Sequence, residues 1–254
     1  MTPAETARLL AIRMDFAWAQ FEPLRDAFEA ISYEWSDGTV PQRQPDGVTY
    51  LCKALVGEVD PVLRVKMGAF AHQLNSTLDN IAWAFAILKK QEPGKVSFPI
   101  TRSPAEFERW GWVQLLGKDA PCVKVVEALQ PYNRPEGRCL LTLHALWNHD
   151  KHRAPAVLAV IPTGARFILD ANGPRPLSVR GFFPRGGKSV HNDQVITRIV
   201  MAKPADDPPK GGVILSPALD NRRGALRERM LPHALFEMYR YVREEVVPPL
   251  VGLL

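Results

Sequence analysis

Residues 60–88 read DPVLRVKMGAFAHQLNSTLDNIAWAFAIL, and this stretch decides the fold class. Asp60-Pro61 starts a helix here. Behind it Leu63, Met67, Phe70, Leu74, Leu78, Ile81, Phe85 and Leu88 advance in steps of three and four. At about 100° per residue they occupy a stripe about 80° wide, the mark of a helix with one apolar face. Gly68, Ala71, Ala82 and Ala86 lie beyond that stripe, where a second backbone can approach closely. The spacing predicts a central helix with more than one packed side, ended by Gln91-Glu92-Pro93-Gly94.

Toward the N-terminus, Thr2-Pro3-Ala4-Glu5 has the pattern of a capping box with proline at the first helical position. Leu9, Ile12, Phe16, Phe21, Leu24, Phe28 and Ile31 approximate the buried face of the helix that follows, which stops before Asp37-Gly38 and the Pro41/Pro45 loop. Val48 to Val59 is rich in strand formers and predicts one strand. Toward the C-terminus, Ser97-Phe98-Pro99-Ile100 reads as an extended link. Ser103-Pro104-Ala105-Glu106 opens a short helix carrying Phe107, Trp110 and Leu115, and Asp119-Ala120-Pro121 opens another reaching Leu129. A longer helix runs from about Glu136 to Arg153.

Beyond Pro155 short β-type segments alternate with turns: Val157–Ile161, Arg166–Asp170, Leu177–Phe183, Gln194–Met201 and Gly212–Leu215. They predict an antiparallel sheet or meander. A last helix near Leu231–Val247 buries Leu235, Met238, Val242 and Val246, and Pro248-Pro249 should stop it. Helices, then strands, then helices imply an α+β fold, a helical bundle packed beside a mostly antiparallel β-sheet. One domain over 1–254 is expected, helical over about 1–153 and 217–254 and β-rich over about 155–216.

Composition narrows the function classes. No run approaches the roughly 20 continuous apolar residues that span a bilayer, so no membrane partner is expected. The first residues lack the features of a secretory leader, and Cys52, Cys122 and Cys139 are too few and too scattered for a disulfide framework; a cytoplasmic chain is the expectation. Lys and Arg outnumber Asp and Glu by 32 to 27, a mild excess with local clusters at Arg180–Lys188 and Arg222–Arg229. Such clusters are commonly solvated faces, but aligned cations can also hold phosphate.

Two constellations carry the chemistry. On the helix ending at Arg153, His144, Asn148 and His152 are spaced four apart and lie within roughly 80° of one another. They border the apolar residues Leu140, Leu143 and Trp147, and Asp150, Lys151 and Arg153 complete the polar run. Polar groups beside a core face need partners. Those partners could be structural, with cations suited to a helix C-terminus, or could be a ligand. On the central helix, His72, Asn75, Ser76 and Asp79 cluster on the side away from Phe70, and neighbouring Trp83 suggests that this side is covered. If the two helices meet, His72, Asp79, His144 and His152 have the residue types of an acid/base site or of metal ligands. No His-x-x-x-His pair with the metalloprotease glutamate occurs, and neither a metal nor a cofactor is expected. Gly186-Gly187-Lys188-Ser189 lacks the upstream glycine of a phosphate loop. Ser189, His191 and Asp193 sit too close in sequence to be read as a triad, and no cysteine has an activating neighbour.

Gly68 to Trp83 resembles a stretch of an uncharacterised bacterial protein family, of the form GDALHNLRSALDHLAW. Phe98-Pro99-Ile100, Leu129-Gln130-Pro131-Tyr132 and Leu143–Arg153 are similar, in order, to that family's FPI, LQPY and LNxxDKHR elements. The family pattern has no assigned activity, but its Arg-x-x-x-x-His spacing resembles HEPN ribonucleases. There the arginine steadies phosphate and the histidine assists attack by the RNA 2′-hydroxyl. This chain has Asn75 and Asn80 at those positions, and Arg138 and His144 are about 120° apart on a helix. The resulting expectation is a binding protein with a buried polar site, Asn75, Asn148, Asp150, Lys151 and Arg153 recognising a nucleotide or RNA phosphate. A HEPN-like ribonuclease or other hydrolase using His72, Asp79, His144 and His152 is the second reading, and a polar network without ligand the third. A homo-oligomer is left open.

Overall fold

The computed structural model describes residues 2–37, 41–89, 96–152, 158–168, 175–181, 190–204, 209–219 and 230–254; side chains 35–37, 149–152, 158–159, 163–168, 210–212 and 219 are left aside. Helix α1 (Pro3–Asp37) is followed by strands β1 (Pro41–Arg43) and β2 (Thr49–Lys53), then by the central helix α2 (Pro61–Leu88). Three short helices come next, α3 (Pro104–Glu108), α4 (Gly111–Leu116) and α5 (Pro121–Ala128), before α6 (Arg138–His152). Strands β3 (Leu158–Ile168), β4 (Pro176–Gly181), β5 (Val195–Met201) and β6 (Lys210–Leu219) precede α7 (Leu231–Arg240), a π turn over Tyr241–Val246 and α8 (Val247–Val251). The fold is α+β, with helices packed against antiparallel sheet.

The capping chemistry is as the sequence implies. Thr2 and Glu5 bond reciprocally, Thr2 N–H to the carboxylate at 2.7 Å and Glu5 N–H to the hydroxyl at 3.2 Å. Asp60 accepts from Val62 N–H at 2.8 Å to open α2. Met67, Phe70, Leu74, Leu78, Ile81 and Phe85 are buried, as are the small residues Gly68, Ala71, Ala82 and Ala86, so α2 is packed on more than one side. One core cluster joins α1, α2, α6 and α7 with Val160, Ile196, Val213 and Leu215 of the strands.

Several expectations need correction. On the first turns of α1 the core takes Leu10, Met14 and Ala17, while Leu9, Ile12 and Phe16 are about half exposed. The helix has apolar residues on two sides there, and packing against β6, α2 and α7 selects one. The strand expected over 48–59 ends at Lys53, where a bulge breaks its register with β5. Pro162-Thr163-Gly164 is not a turn: β3 runs through it with a bulge, merging two expected strands into one. Nor is the sheet a meander. β1, β2, β5 and β4 lie side by side in that order, and β3 pairs separately with β6. The β-rich portion therefore recruits 41–53 from outside its expected span. Finally, Pro248-Pro249 does not stop the last helix but opens α8 after the π turn, in first-turn positions where no N–H is required.

Candidate functional site

Helices α2 and α6 pack against each other, and His72 and Trp147 join their polar edges in a seam. His72, on the exposed edge of α2, accepts at Nδ1 from Trp147 Nε1 at 3.1 Å. The bond requires an unprotonated Nδ1, so the proton of the neutral ring sits on Nε2. Trp147, read from sequence as part of an apolar face, is half-buried and works here as a donor. His144 lies one turn back, its ring 6.0 Å from that of Trp147. Burial first, and then the positive charge of Arg102, push the His144 imidazole below its ordinary range. His144 is therefore held neutral around pH 7.

Asn75 and Asp79 do different work. Asn75 is 4% exposed and donates from Nδ2 to Asp79 Oδ2 at 2.9 Å. The other carboxylate oxygen, Oδ1, accepts Phe98 N–H at 2.9 Å. The pair thus latches the extended segment after α2 back onto the helix. A second clamp holds the same segment. Gln130, fully buried, accepts from Thr101 N–H at 2.9 Å and Thr101 Oγ1 at 3.2 Å, and donates to Pro99 C=O at 2.9 Å and Val126 C=O at 3.1 Å. The Phe98-Pro99-Ile100 and Leu129-Gln130-Pro131-Tyr132 elements therefore meet through one amide. Gly137 lies against the same corner: a Cβ there would sit 2.6 Å from Leu129 C=O, which accepts from Tyr241 Oη at 2.9 Å. Only glycine fits at that approach.

The seam is not covered along its whole length. Asn75 is buried and Asp79 half-buried, but His72 is exposed and Trp83 is 40% exposed, so the expectation that Trp83 marks a covered side is corrected. Asn148 is half-buried on α6, one residue beyond the Trp147 that His72 meets. Asp150, Lys151 and His152 lie in the last turn of α6 with side chains outside those described, and Arg153 lies outside the described residues altogether. So do Gly186 to Ser189 and the cluster over 222–229, whereas His191 and Asp193 lie in a turn, Asp193 at φ 61°.

Among the described residues no group of three His, Cys, Asp or Glu side chains gathers in a metal-holding arrangement. All three cysteines are buried and free, and burial pushes the Cys52 thiol up to about 11 and Cys139 to about 12. None is poised as a nucleophile. No described helix is long and apolar enough to cross a membrane. Comparison with known proteins adds no relative: no family model matches the chain, no curated protein matches it, and no solved structure matches its fold. The residues that sequence reasoning missed are Arg102, whose charge reaches His144, and Gln130. Gln130 was visible only as one letter of a motif, and nothing in the spacing of Arg102 ties it to α6.

Proposed function

We propose that this chain is a binding protein whose α2–α6 seam recognises a nucleotide or RNA phosphate. The observation that carries the reading is the Trp147–His72 bond, which occupies the one imidazole nitrogen of His72 that could take up a proton and leaves Nε2–H as a donor on an exposed side chain. Arg102 adds positive charge beside His144, and the sequence supplies Lys151 and Arg153 a few residues after Trp147. A site rich in donors and cations suits an anion better than it suits proton abstraction.

The ribonuclease reading is less favoured. Asparagines stand where the HEPN-like pattern needs arginine and histidine, and Asn75 is engaged with Asp79, whose oxygens hold Asn75 and Phe98. The discriminating experiment incubates the purified chain with total RNA, with and without divalent metal, and measures both retention and cleavage. Retention that weakens with salt and falls in Lys151→Ala and Arg153→Ala, without cleavage, supports binding. Cleavage that His72→Ala and His152→Ala abolish sinks the binding reading in favour of the hydrolase.

A further inference from the structure

The four-stranded sheet turns outward a row of side chains that the helical seam does not use. In an antiparallel ladder, residues directly opposite one another project to the same face. Gln42 stands opposite Leu51, Leu51 opposite Arg198, and Arg198 opposite Arg180. The row crosses all four strands and ends in two arginines paired across β5 and β4. Both arginines are exposed, and among the described residues neither enters an ion pair. Like charges set directly opposite across a ladder repel. The ladder thus sets two cations opposite one another, and among the described residues no carboxylate pairs with either.

One acid feels this field. Asp46 is held below the usual carboxylate range, chiefly by its hydrogen bonds from Thr49 and least by Arg198. Its oxygens already accept from Val48 N–H, Thr49 N–H and the Thr49 hydroxyl, which commits it to the turn between β1 and β2. Beside that turn Arg198 lines a cleft of about 560 Å³ together with Gln44, Asp46, Thr49, Leu51 and Val195. The volume falls within the range of about 300–1,000 Å³ typical of small-molecule sites. Leu51 and Val195 are half-buried and give it an apolar floor, while Arg198 supplies a planar fork matched to phosphate oxygens.

We propose that this outward sheet face binds a small phosphate-bearing ligand of mononucleotide size, its phosphate between Arg198 and Arg180 and its body over Leu51 and Val195. The site is separate from the α2–α6 seam and does not depend on it. A cleft of this volume holds a single nucleotide-sized body.

Calorimetric titration of the full chain with ADP, inorganic pyrophosphate, adenosine and a ten-nucleotide single-stranded RNA tests the assignment. ADP and pyrophosphate bind and adenosine does not. Arg198→Gln and Arg180→Gln each weaken ADP binding by about tenfold or more, and Arg198→Lys, which keeps the charge without the fork, falls between. Lys118→Gln, which removes an exposed cation elsewhere, leaves ADP binding unchanged. Because both arginines are exposed, the variants fold, and without ligand they melt at or slightly above the unmodified chain as the like-charge contact is relieved. Arginine variants that bind ADP as the unmodified chain does, adenosine binding as well as ADP, or no binding of ADP or pyrophosphate overturns the proposal. RNA binding alone, lost in the arginine variants, overturns the small-ligand assignment and makes the face a strand-binding surface.

Discussion

Trp147 Nε1 donates to His72 Nδ1 at 3.1 Å, so a donor near the end of α6 fixes which nitrogen of an α2 histidine carries its proton. In Trp147→Phe that preference disappears. Nitrogen-15 spectra of the His72 ring at alkaline pH should show the Nε2–H tautomer in the unmodified chain and a mixed population in the variant. Because neither side chain is fully buried, the stability change should stay within about 1 kcal/mol. An unchanged ring spectrum would remove the basis for reading His72 as an outward donor.

Asp79 accepts from Asn75 and from the backbone of Phe98, which makes it first a structural acceptor. Asp79→Ala should lower stability in urea by about 1–3 kcal/mol, because Phe98 N–H and the buried Asn75 amide lose their acceptor. Adding Asn75→Ala should produce less than the sum of the two single effects, since both report on one bond. Full additivity would show that the pair is not coupled.

Gln130 makes four hydrogen bonds in a fully buried position. Gln130→Ala leaves Thr101 N–H and Pro99 C=O without their partner and should cost on the order of 3 kcal/mol. Hydrogen exchange should then open the 98–101 segment before α2 itself. A variant that exchanges like the unmodified chain would mean that the segment is held by something other than this amide.

His144 gives the chain a definite pH signature. Its folded-state pKa lies below the ordinary value of 6.5, through burial and then Arg102. The folded state therefore binds fewer protons than the unfolded chain as pH falls through that value. The stability contributed by neutral His144 is complete above about 6.5 and declines as pH falls toward the folded-state pKa. Urea unfolding at pH 7.5, 6.5 and 5.5 should show stability falling with acid less steeply in His144→Gln than in the unmodified chain. Arg102→Gln should remove part of the difference. Equal slopes in all three proteins would contradict the sign.

What the sequence disclosed depends on how locally each feature is determined. The α2 stripe, the Thr2–Glu5 box and the Ser103 cap are settled within a few residues, and the structure has all three. Which side of α1 is buried is not local: Leu9, Ile12 and Phe16 compete with Leu10, Met14 and Ala17, and contact with β6, α2 and α7 decides. The same holds for β1, a three-residue strand in a proline-rich loop that exists only because β2 lies beside it. At the seam, residue types pointed to His72 and Asp79 together, yet the two have different partners, and those partners, Trp147 and Phe98, are distant in sequence. Periodicity places a side chain on a face of its own helix, but it does not say what stands opposite.

The pairing of Thr49–Lys53 with Val195–Met201 sets an order of events during synthesis. When β2 leaves the ribosome it has only the short β1 to pair with, and its other edge stays open until β5 follows, long after α2 and α6 have been made. The helices can collapse early on contacts close in sequence, whereas the sheet waits for an encounter across most of the chain. A nascent chain arrested before residue 195 should therefore be helical with an unmatched strand edge, which would make it the stage most exposed to aggregation and most dependent on chaperones.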